Sequence, residues 1–317
     1  MPFKRWRYLY LPYFFKIKQL AKSKQADWIF FDQPWMGWVL MLLKWFTPYR
    51  VFLRSNNIEF MRFKTMKKWY WPLLRTYEKW TYRAADLVVF VSEEDRQRAI
   101  KIFGLSETQT LLTPYGIDVE TQPMALSKEK QEQFKSTLSL HPDTHLILFF
   151  ATLNYSPNAE AVQFILDEIY PRLKLQMKSD WHIVICGKGL NDDLKNRMEG
   201  MEQITYKGFV EDIYSYIDAA SVMINPILSG GGVKTKAIDT LARAQRVVST
   251  VTGAEGINRN VCGDCLIIVD DFDWDTYVST LIKYISKEKT LPNAFKQTYE
   301  WPGIISNLTQ KLESFKC

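Results

Sequence analysis

Six short runs in the second half of the chain, HLILFFATL, WHIVICGKG, ITYKGFV, SVMINP, RVVST and LIIV, alternate with segments of helical spacing. Behind the first of them Ala161, Phe164, Ile165, Ile169 and Leu173 fall on one helical face. Further helices are predicted from Asp192, over IYSYIDAA, and to Ala244, with a last pair beyond LIIV. A strand that is apolar at successive positions must bury both faces, so the alternation requires a parallel sheet with helices packed on each side. That pattern fixes the α/β class before composition is considered.

The first half alternates less evenly. DWIFFD, RVFLRS, DLVVFVS and TLLTPYG are its strand candidates, separated by the helical MGWVLMLLKWF, a long helical region from Phe60 to Ala85, and EEDRQRAIKIF. Ser92 is the expected N-cap of the last, with acidic residues in the first turn. A polar stretch lacking strand pattern places the domain boundary near residues 120–143. At 317 residues the chain can bury two cores. The expected organisation is an incomplete N-terminal domain over 1–140, a second domain over 141–295, and a helix over 296–317 crossing back to the first, with a bend at Trp301-Pro302.

Composition removes several function classes. Cys186, Cys262, Cys265 and Cys317 are too few and scattered for a disulfide framework. Cys262-x-x-Cys265 lacks the second pair or histidine cluster of a zinc site, so no metal is expected. His141, His145 and His182 fall in a linker or at strand starts, where solvated or structural roles are expected. No secretory leader is visible, and the longest apolar run, from Pro34, is shorter than the roughly 18 residues of a spanning helix. A cytoplasmic location follows as the expectation, at the inner face of a membrane if the basic, aromatic segments FKRWRYLYLPYFFKIKQLAK and FKTMKKWYWPLLRTYEKW lie on a bilayer. The net charge of +6 favours an anionic partner; no nucleic-acid-binding module is recognisable.

The chemistry concentrates in NPILSGGGVKTKAIDTLA. Gly230, Gly231 and Gly232 are three of only 14 glycines, and Lys234 and Lys236 follow at the start of a helix. Glycines let backbone approach a ligand, and a helix N-terminus holds an anion through its free N–H groups. A diphosphate is the expected occupant, with both ammonium groups beside it. The alternative from the residues alone is a tight strand-to-helix turn with solvated lysines. Asp239, one turn beyond Lys236 on the same face, can accept hydrogen bonds from ribose hydroxyls.

Together with FFATLNYSPNAEAVQFIL, GFVEDIYSYIDAA, STVTGAEGI, RSNNIEFMRF and DLVVFVSEEDRQ, this segment resembles the family 4 retaining glycosyltransferases of GT-B fold, over roughly residues 27 to 310. The resemblance implies two Rossmann-like domains facing across a cleft, and transfer of a sugar from a nucleotide diphosphate donor to a glycan or lipid-linked acceptor, as in cell-envelope polysaccharide biosynthesis. The nucleotide sugar is then substrate, and no cofactor or metal is implied. By position, Lys234 resembles the cation on the diphosphate, with Lys236 beside it. Asp239 stands at the second of two family glutamates and Gly231 at the first. Thr252, Gly253, Ala254 and Glu255, with Asn154, resemble loops lining the donor pocket. Gly187 and Lys188, with Phe209, Val210 and Asp212, match segments that hold the base. Asn56 and Glu59, in RSNNIEF, match the catalytic face of the first domain.

Two departures bear on activity. Relatives commonly carry a histidine where this chain has Asn56, which can hydrogen-bond but takes no proton near neutrality. The segment before DWIFFD does not read as the apolar strand and glycine-rich loop with which the family opens. Rival readings are a non-catalytic relative that binds nucleotide sugar and a membrane-surface scaffold.

Overall fold

The computed structural model describes residues 10–118 and 122–314, within which the chain falls into two compact units. The first takes in the residues up to Tyr115, the stretch Gly231–Val233 and those from Ile304; the second comprises Gly116–Gly230 and Lys234–Gly303. The N-terminal part of the basic aromatic segment, residues 1–9, and Cys317 lie outside the described residues.

In the first unit, helix α1 (Pro12–Ser23) precedes strand β1 (Trp28–Asp32), α2 (Gly37–Phe46), β2 (Arg50–Ser55), α3 (Glu59–Thr65), α4 (Trp71–Ala84), β3 (Leu87–Phe90), α5 (Glu93–Phe103) and β4 (Thr110–Leu112). The four strands are parallel and lie in chain order. Right-handed crossovers without a reversal put their helices on one face. There Val51, Leu53, Val88 and Phe90 pack with Leu40 and Leu43 of α2, Tyr82 of α4 and Phe103 of α5. Ser92 caps α5, its hydroxyl accepting from Asp95 N–H at 3.2 Å ahead of three acids, and Gly104 ends the helix at φ 69.

The long helical region expected from Phe60 to Ala85 is two helices. Lys67 adopts φ 53 and Lys68 N–H returns to the Phe63 carbonyl at 2.9 Å, which closes α3. Pro72, which cannot continue a helix from its N-terminal side, opens α4.

The second unit begins with α6 (Lys128–Thr137) and β5 (His145–Phe150), followed by α7 (Ser156–Phe164) and α8 (Tyr170–Gln176) joined by a π-turn, β6 (Trp181–Cys186), α9 (Asp192–Met198), β7 (Ile204–Gly208), α10 (Ile213–Ala219), β8 (Val222–Asn225), α11 (Thr235–Ala242), β9 (Val247–Thr250), β10 (Leu266–Val269), α12 (Trp274–Tyr284) and α13 (Asn293–Tyr299). Its parallel sheet runs β10-β9-β8-β5-β6-β7. The chain starts in the middle, builds outward to β7, then returns to the other side of β5 with β8. Helices cover both faces, one around Ile147, Phe149, Ile165 and Tyr277, the other around Leu146, Leu148, Val184 and Ile217.

The polar stretch before β5 belongs to this second unit, which corrects the boundary expected near residue 140. Phe134 of α6 meets the Tyr216 ring edge-on at 4.8 Å, Leu126 N–H donates to Asp218, and Arg243 donates to the Pro123 carbonyl at 3.0 Å. One half-buried aromatic contact and two charge-assisted bonds are enough to recruit a helix that has no fully buried residue of its own.

The final helix α14 (Trp301–Glu313) follows a bend at Glu300, with Pro302 in its first turn. Leu308 and Leu312 pack on Phe52, Leu87 and Val89, the face of the first sheet opposite its crossover helices.

Candidate functional site

In an open parallel sheet the loops at the carboxyl ends of two strands diverge where the strand order reverses, leaving a crevice between them. In the second unit that point lies between β5 and β8. The loop after β5 carries Asn154 and Tyr155; the loop after β8 carries Ser229 and Gly230 and leads to Lys234 and α11. Side chains and backbone tie the two together. Gly230 has φ 85 and lies so close to Pro157 and the Tyr155 hydroxyl that a Cβ would sit about 3.0 Å from each. Ser229 donates to Glu160 of α7 at 2.7 Å.

The loop after β6 closes on the same place. Gly187 has φ 140, and a Cβ there would stand 1.8 Å from the Ala151 carbonyl oxygen, so only glycine fits. Lys188 carbonyl accepts from Leu153 N–H at 2.9 Å, and the Tyr206 hydroxyl donates to Gly187 carbonyl at 2.8 Å.

On the other side, the loop after β9 is held by a buried polar network that sequence reasoning missed. Asn225, at the end of β8, donates to Ser249 Oγ at 3.0 Å and to the Gly253 carbonyl at 2.8 Å. Thr250 donates to the Ile227 carbonyl at 2.6 Å and accepts from Gly253 N–H at 3.0 Å. Ala254 is buried and Glu255 half-buried. The available signal was polar residues ending two otherwise apolar strands, Asn225 in VMIN and Ser249-Thr250 in VVST.

Helix α11 starts at Lys234 with no side-chain cap on its first N–H groups. Lys236 extends across the face of Phe149, its Nζ 4.3 Å from the ring centre and 3.5 Å from Asn158 Oδ1. Among the described residues no carboxylate lies within ion-pair distance of it. Loss of water and the charge of Lys234 bring its pKa down to about 7. Asp239, a turn further on, makes no hydrogen bond or ion pair with the described residues, and burial pushes its pKa up to about 6. Among the described residues neither group has a partner of opposite charge.

The expected donor residues Asn154, Gly187, Lys188, Gly230, Lys234, Lys236 and Asp239 therefore gather on the loops and helix around the reversal, with Gly253, Ala254 and Glu255 on the adjoining loop. Phe209, Val210 and Asp212 follow β7, at the sheet edge. Phe209 is exposed, Val210 packs on the Leu146 cluster, and Asp212 accepts from Ser215 N–H as the cap of α10. Gly231 and Gly232 group with the first unit, where Gly232 lies against the Asn56 carbonyl and Asn57.

In that unit Asn57 donates to Glu59 Oε1 at 2.8 Å, and Glu59 and Phe60 N–H both donate to Glu78 at 2.9 Å. Burial raises the pKa of Glu59, against Arg62 and Asn57, and that of Glu78 to about 8. Cys262 and Cys265 are free and buried, with burial pushing Cys262 up to about 12, far from a reactive thiolate. His182 is held by Thr205 at 2.8 Å. Among the described residues no group of three or more His, Cys, Asp and Glu is placed to hold a metal ion, and no helix is long and apolar enough to cross a membrane.

Two Rossmann-like units in one chain match the architecture of GT-B glycosyltransferases. Two family models agree, "Glycosyltransferase Family 4" matching residues 1–121 and "Glycosyl transferases group 1" matching residues 144–287. The chain belongs to the family 4-like glycosyltransferases of GT-B fold. A glycosyltransferase from Rickettsia africae superposes with a TM-score of 0.71 at 15% identity, over 96% of this chain and 80% of that one. Anabaena HepE, in a complex with UDP, superposes with a TM-score of 0.71 at 14% identity, over 96% and 82%. An uncharacterized 44.6 kDa protein from the cps region of Klebsiella pneumoniae is 26% identical over 174 residues, 51% of this chain; the match spans 44% of that relative's length.

Proposed function

We propose that the protein transfers a sugar, with retention of anomeric configuration, from a nucleotide diphosphate donor to a glycan or lipid-linked acceptor. The observation that carries this reading is the start of α11 at the strand-order reversal, where among the described residues its first N–H groups have no side-chain cap, Lys236 has no counter-charge and Asp239 makes no hydrogen bond or ion pair. The diphosphate meets the helix N–H groups, Lys234 and Lys236, and the ribose hydroxyls donate to Asp239. As the leaving diphosphate gains charge, preorganised donors stabilise the transition state more than the ground state. The two lysines supply the positive charge that a divalent ion supplies elsewhere, so transfer proceeds in the presence of EDTA. UDP is the first nucleotide to test, because HepE is a structural neighbour that holds it.

The test is calorimetric titration of UDP, GDP and ADP into the protein and into Lys234→Ala. Binding of one nucleotide, weakened at least about tenfold (about 1.4 kcal/mol) by the substitution, supports the donor site. Absence of binding by all three overturns it. The anomeric configuration of the product, read by NMR, decides retention.

The proposal extends to an anionic bilayer as the surface on which a lipid-linked acceptor is met, at the inner face of the membrane. Trp69, Leu73 and Trp80 are 82%, 68% and 60% exposed along one stripe at the α3–α4 turn and down α4. Lys64, Lys67, Lys68, Arg75 and Arg83 are exposed around them, and the one carboxylate between Phe60 and Arg83, Glu78, is buried. Exposed indoles with unopposed cations match the interface of a bilayer with anionic headgroups.

A further inference from the structure

Strand β1 ends the first sheet on one side, and among the described residues no strand pairs with its outer edge. In a strand the N–H and C=O of one residue point to the same side, and successive residues alternate. Gln33 N–H donates to the Arg54 carbonyl at 2.9 Å, and the Asp27 carbonyl accepts from Arg50 N–H at 3.3 Å. Odd-numbered residues therefore face β2, and Phe30 and Asp32 turn their backbone groups to the outer edge. Edge strands are commonly blunted by lysine, proline or a bulge. WIFFD has none of these, and Phe30 is 53% exposed.

The side chains of β1 complement a second copy of the same strand. Trp28, Phe30 and Asp32 share one face with Arg50, Phe52 and Arg54, their register partners on β2. The Phe30 ring lies 6.2 Å from that of Phe52, and the Arg50 guanidinium lies over the Trp28 ring at 5.0 Å. Asp32 is 3.9 Å from Arg54 and its side chain is 61% exposed. One end of the edge thus carries an exposed carboxylate, and a guanidinium overlies the other. An antiparallel copy centred on Phe30 sets the partner's Asp32 opposite Trp28, beside Arg50, and the partner's Phe30 against Phe30. Opposite charges then meet at both ends, and the aromatic row of Phe52 and Phe30 continues across the axis. A parallel copy in register would instead set Asp32 against the partner's Asp32, a destabilising pair of like charges.

We propose that β1 is the contact of a two-fold dimer, in which a second copy of this chain adds its own β1 antiparallel and joins two four-stranded sheets into one of eight. Phe30 and the partner's Phe30 exchange both backbone hydrogen bonds. The interface is isologous, so the contact between Asp32 and the partner's Arg50 occurs twice. None of these residues is assigned to the nucleotide sugar or the bilayer, and the dimer is judged apart from the proposed function.

The experiment is sedimentation velocity over a concentration series of the full chain, with the native protein, Asp32→Arg, Arg50→Asp, and an equimolar mixture of the two variants. The native protein is expected to pass from monomer to dimer as concentration rises. Each variant alone sets like charges together at both ends and is expected to dimerise at least about tenfold more weakly. In the mixture every introduced charge meets its opposite, and affinity is expected to return to within about threefold of native, which a folding defect could not produce. Both side chains are exposed, so Tm is expected to hold. Register is checked with Phe30→Cys in a Cys317→Ser background, since the remaining cysteines are buried. A hydrogen-bonded antiparallel pair has its Cα atoms about 5.5 Å apart, within reach of a disulfide. Oxidation is expected to link Phe30→Cys into dimers and to leave Phe46→Cys, on the exposed end of α2, unlinked. A native protein that stays monomeric, a dimer that both charge variants leave unchanged, a mixture no tighter than either variant, or equal linking of the two cysteine variants overturns the contact.

Discussion

Lys236 and Asp239 lie a turn apart on α11 with their pKa values displaced toward each other, to about 7 and about 6. A diphosphate beside Lys236 favours its charged form and raises its pKa. Binding then takes up a proton above pH of about 7, and affinity falls as pH rises through that window. Ribose hydroxyls donating to Asp239 favour the carboxylate and lower its pKa. Binding then releases a proton below about 6, and affinity falls as pH drops. UDP-glucose suits the measurement, because its diphosphate diester does not titrate near neutrality. Calorimetry is expected to show greatest affinity between about pH 6 and 7, with a loss of up to about tenfold per pH unit on either side. Lys236→Met is expected to remove the alkaline limb and Asp239→Asn the acid limb. A pH-independent affinity in the native protein would exclude both residues from the donor contact. The sequence showed these two residues because glycine, lysine and carboxylate stand in one short segment. It did not show Glu78 on α4, which accepts from Glu59 and Phe60 N–H, a contact that residue type alone does not encode.

Helices α3 and α4 illustrate what element boundaries do to function. A continuous helix through Lys67 would keep Trp69, Leu73 and Trp80 on one face but would turn Lys67 and Lys68 away from it. The break at Lys67 instead projects the turn, with Lys67, Lys68 and Trp69 at its tip. Cosedimentation is expected with vesicles of phosphatidylcholine containing phosphatidylglycerol and not with phosphatidylcholine alone. Each basic residue near an anionic surface contributes about 1 kcal/mol, so Lys67→Glu with Lys68→Glu is expected to weaken binding by about thirtyfold or more. Equal binding to neutral vesicles, or none to either, removes the bilayer from the proposed function. The break itself was hard to read, because the apolar spacing persists across it and positive φ at a lysine carries no compositional mark. The cap of α5 was easy: a serine followed by three acids satisfies helix N–H groups and dipole locally, without help from the rest of the fold. Likewise the second sheet was legible because its strands are apolar on both faces. The assignment of α6 was not, because its place depends on Phe134 finding Tyr216, a contact between residues far apart in the chain.

At the scale of the molecule, the two sheets solve the burial of their faces differently. The second reverses its strand order, so its own crossover helices reach both sides. The first runs in chain order, and its crossovers serve one side only. The other side, Phe52, Leu87 and Val89, is covered through Leu308 and Leu312 of α14, a helix that the chain reaches after the whole second unit. A domain boundary drawn along the sequence thus does not follow the boundary of the core. It also makes the stability of β2 and β3 depend on residues more than 200 positions later. Replacing both half-buried leucines by alanine removes several methyl and methylene groups from that face, at a cost of about 2 kcal/mol. Hydrogen exchange read peptide by peptide is expected to accelerate by about thirtyfold across β2 and β3 where exchange follows unfolding of the first sheet, since about 1.4 kcal/mol corresponds to a factor of ten. The central strands β5 and β8, buried on both faces by their own crossover helices, are expected to keep their protection. Equal acceleration in both sheets would mean that the two units unfold as one, and no change in β2 and β3 would mean that α14 contributes nothing to the core it covers.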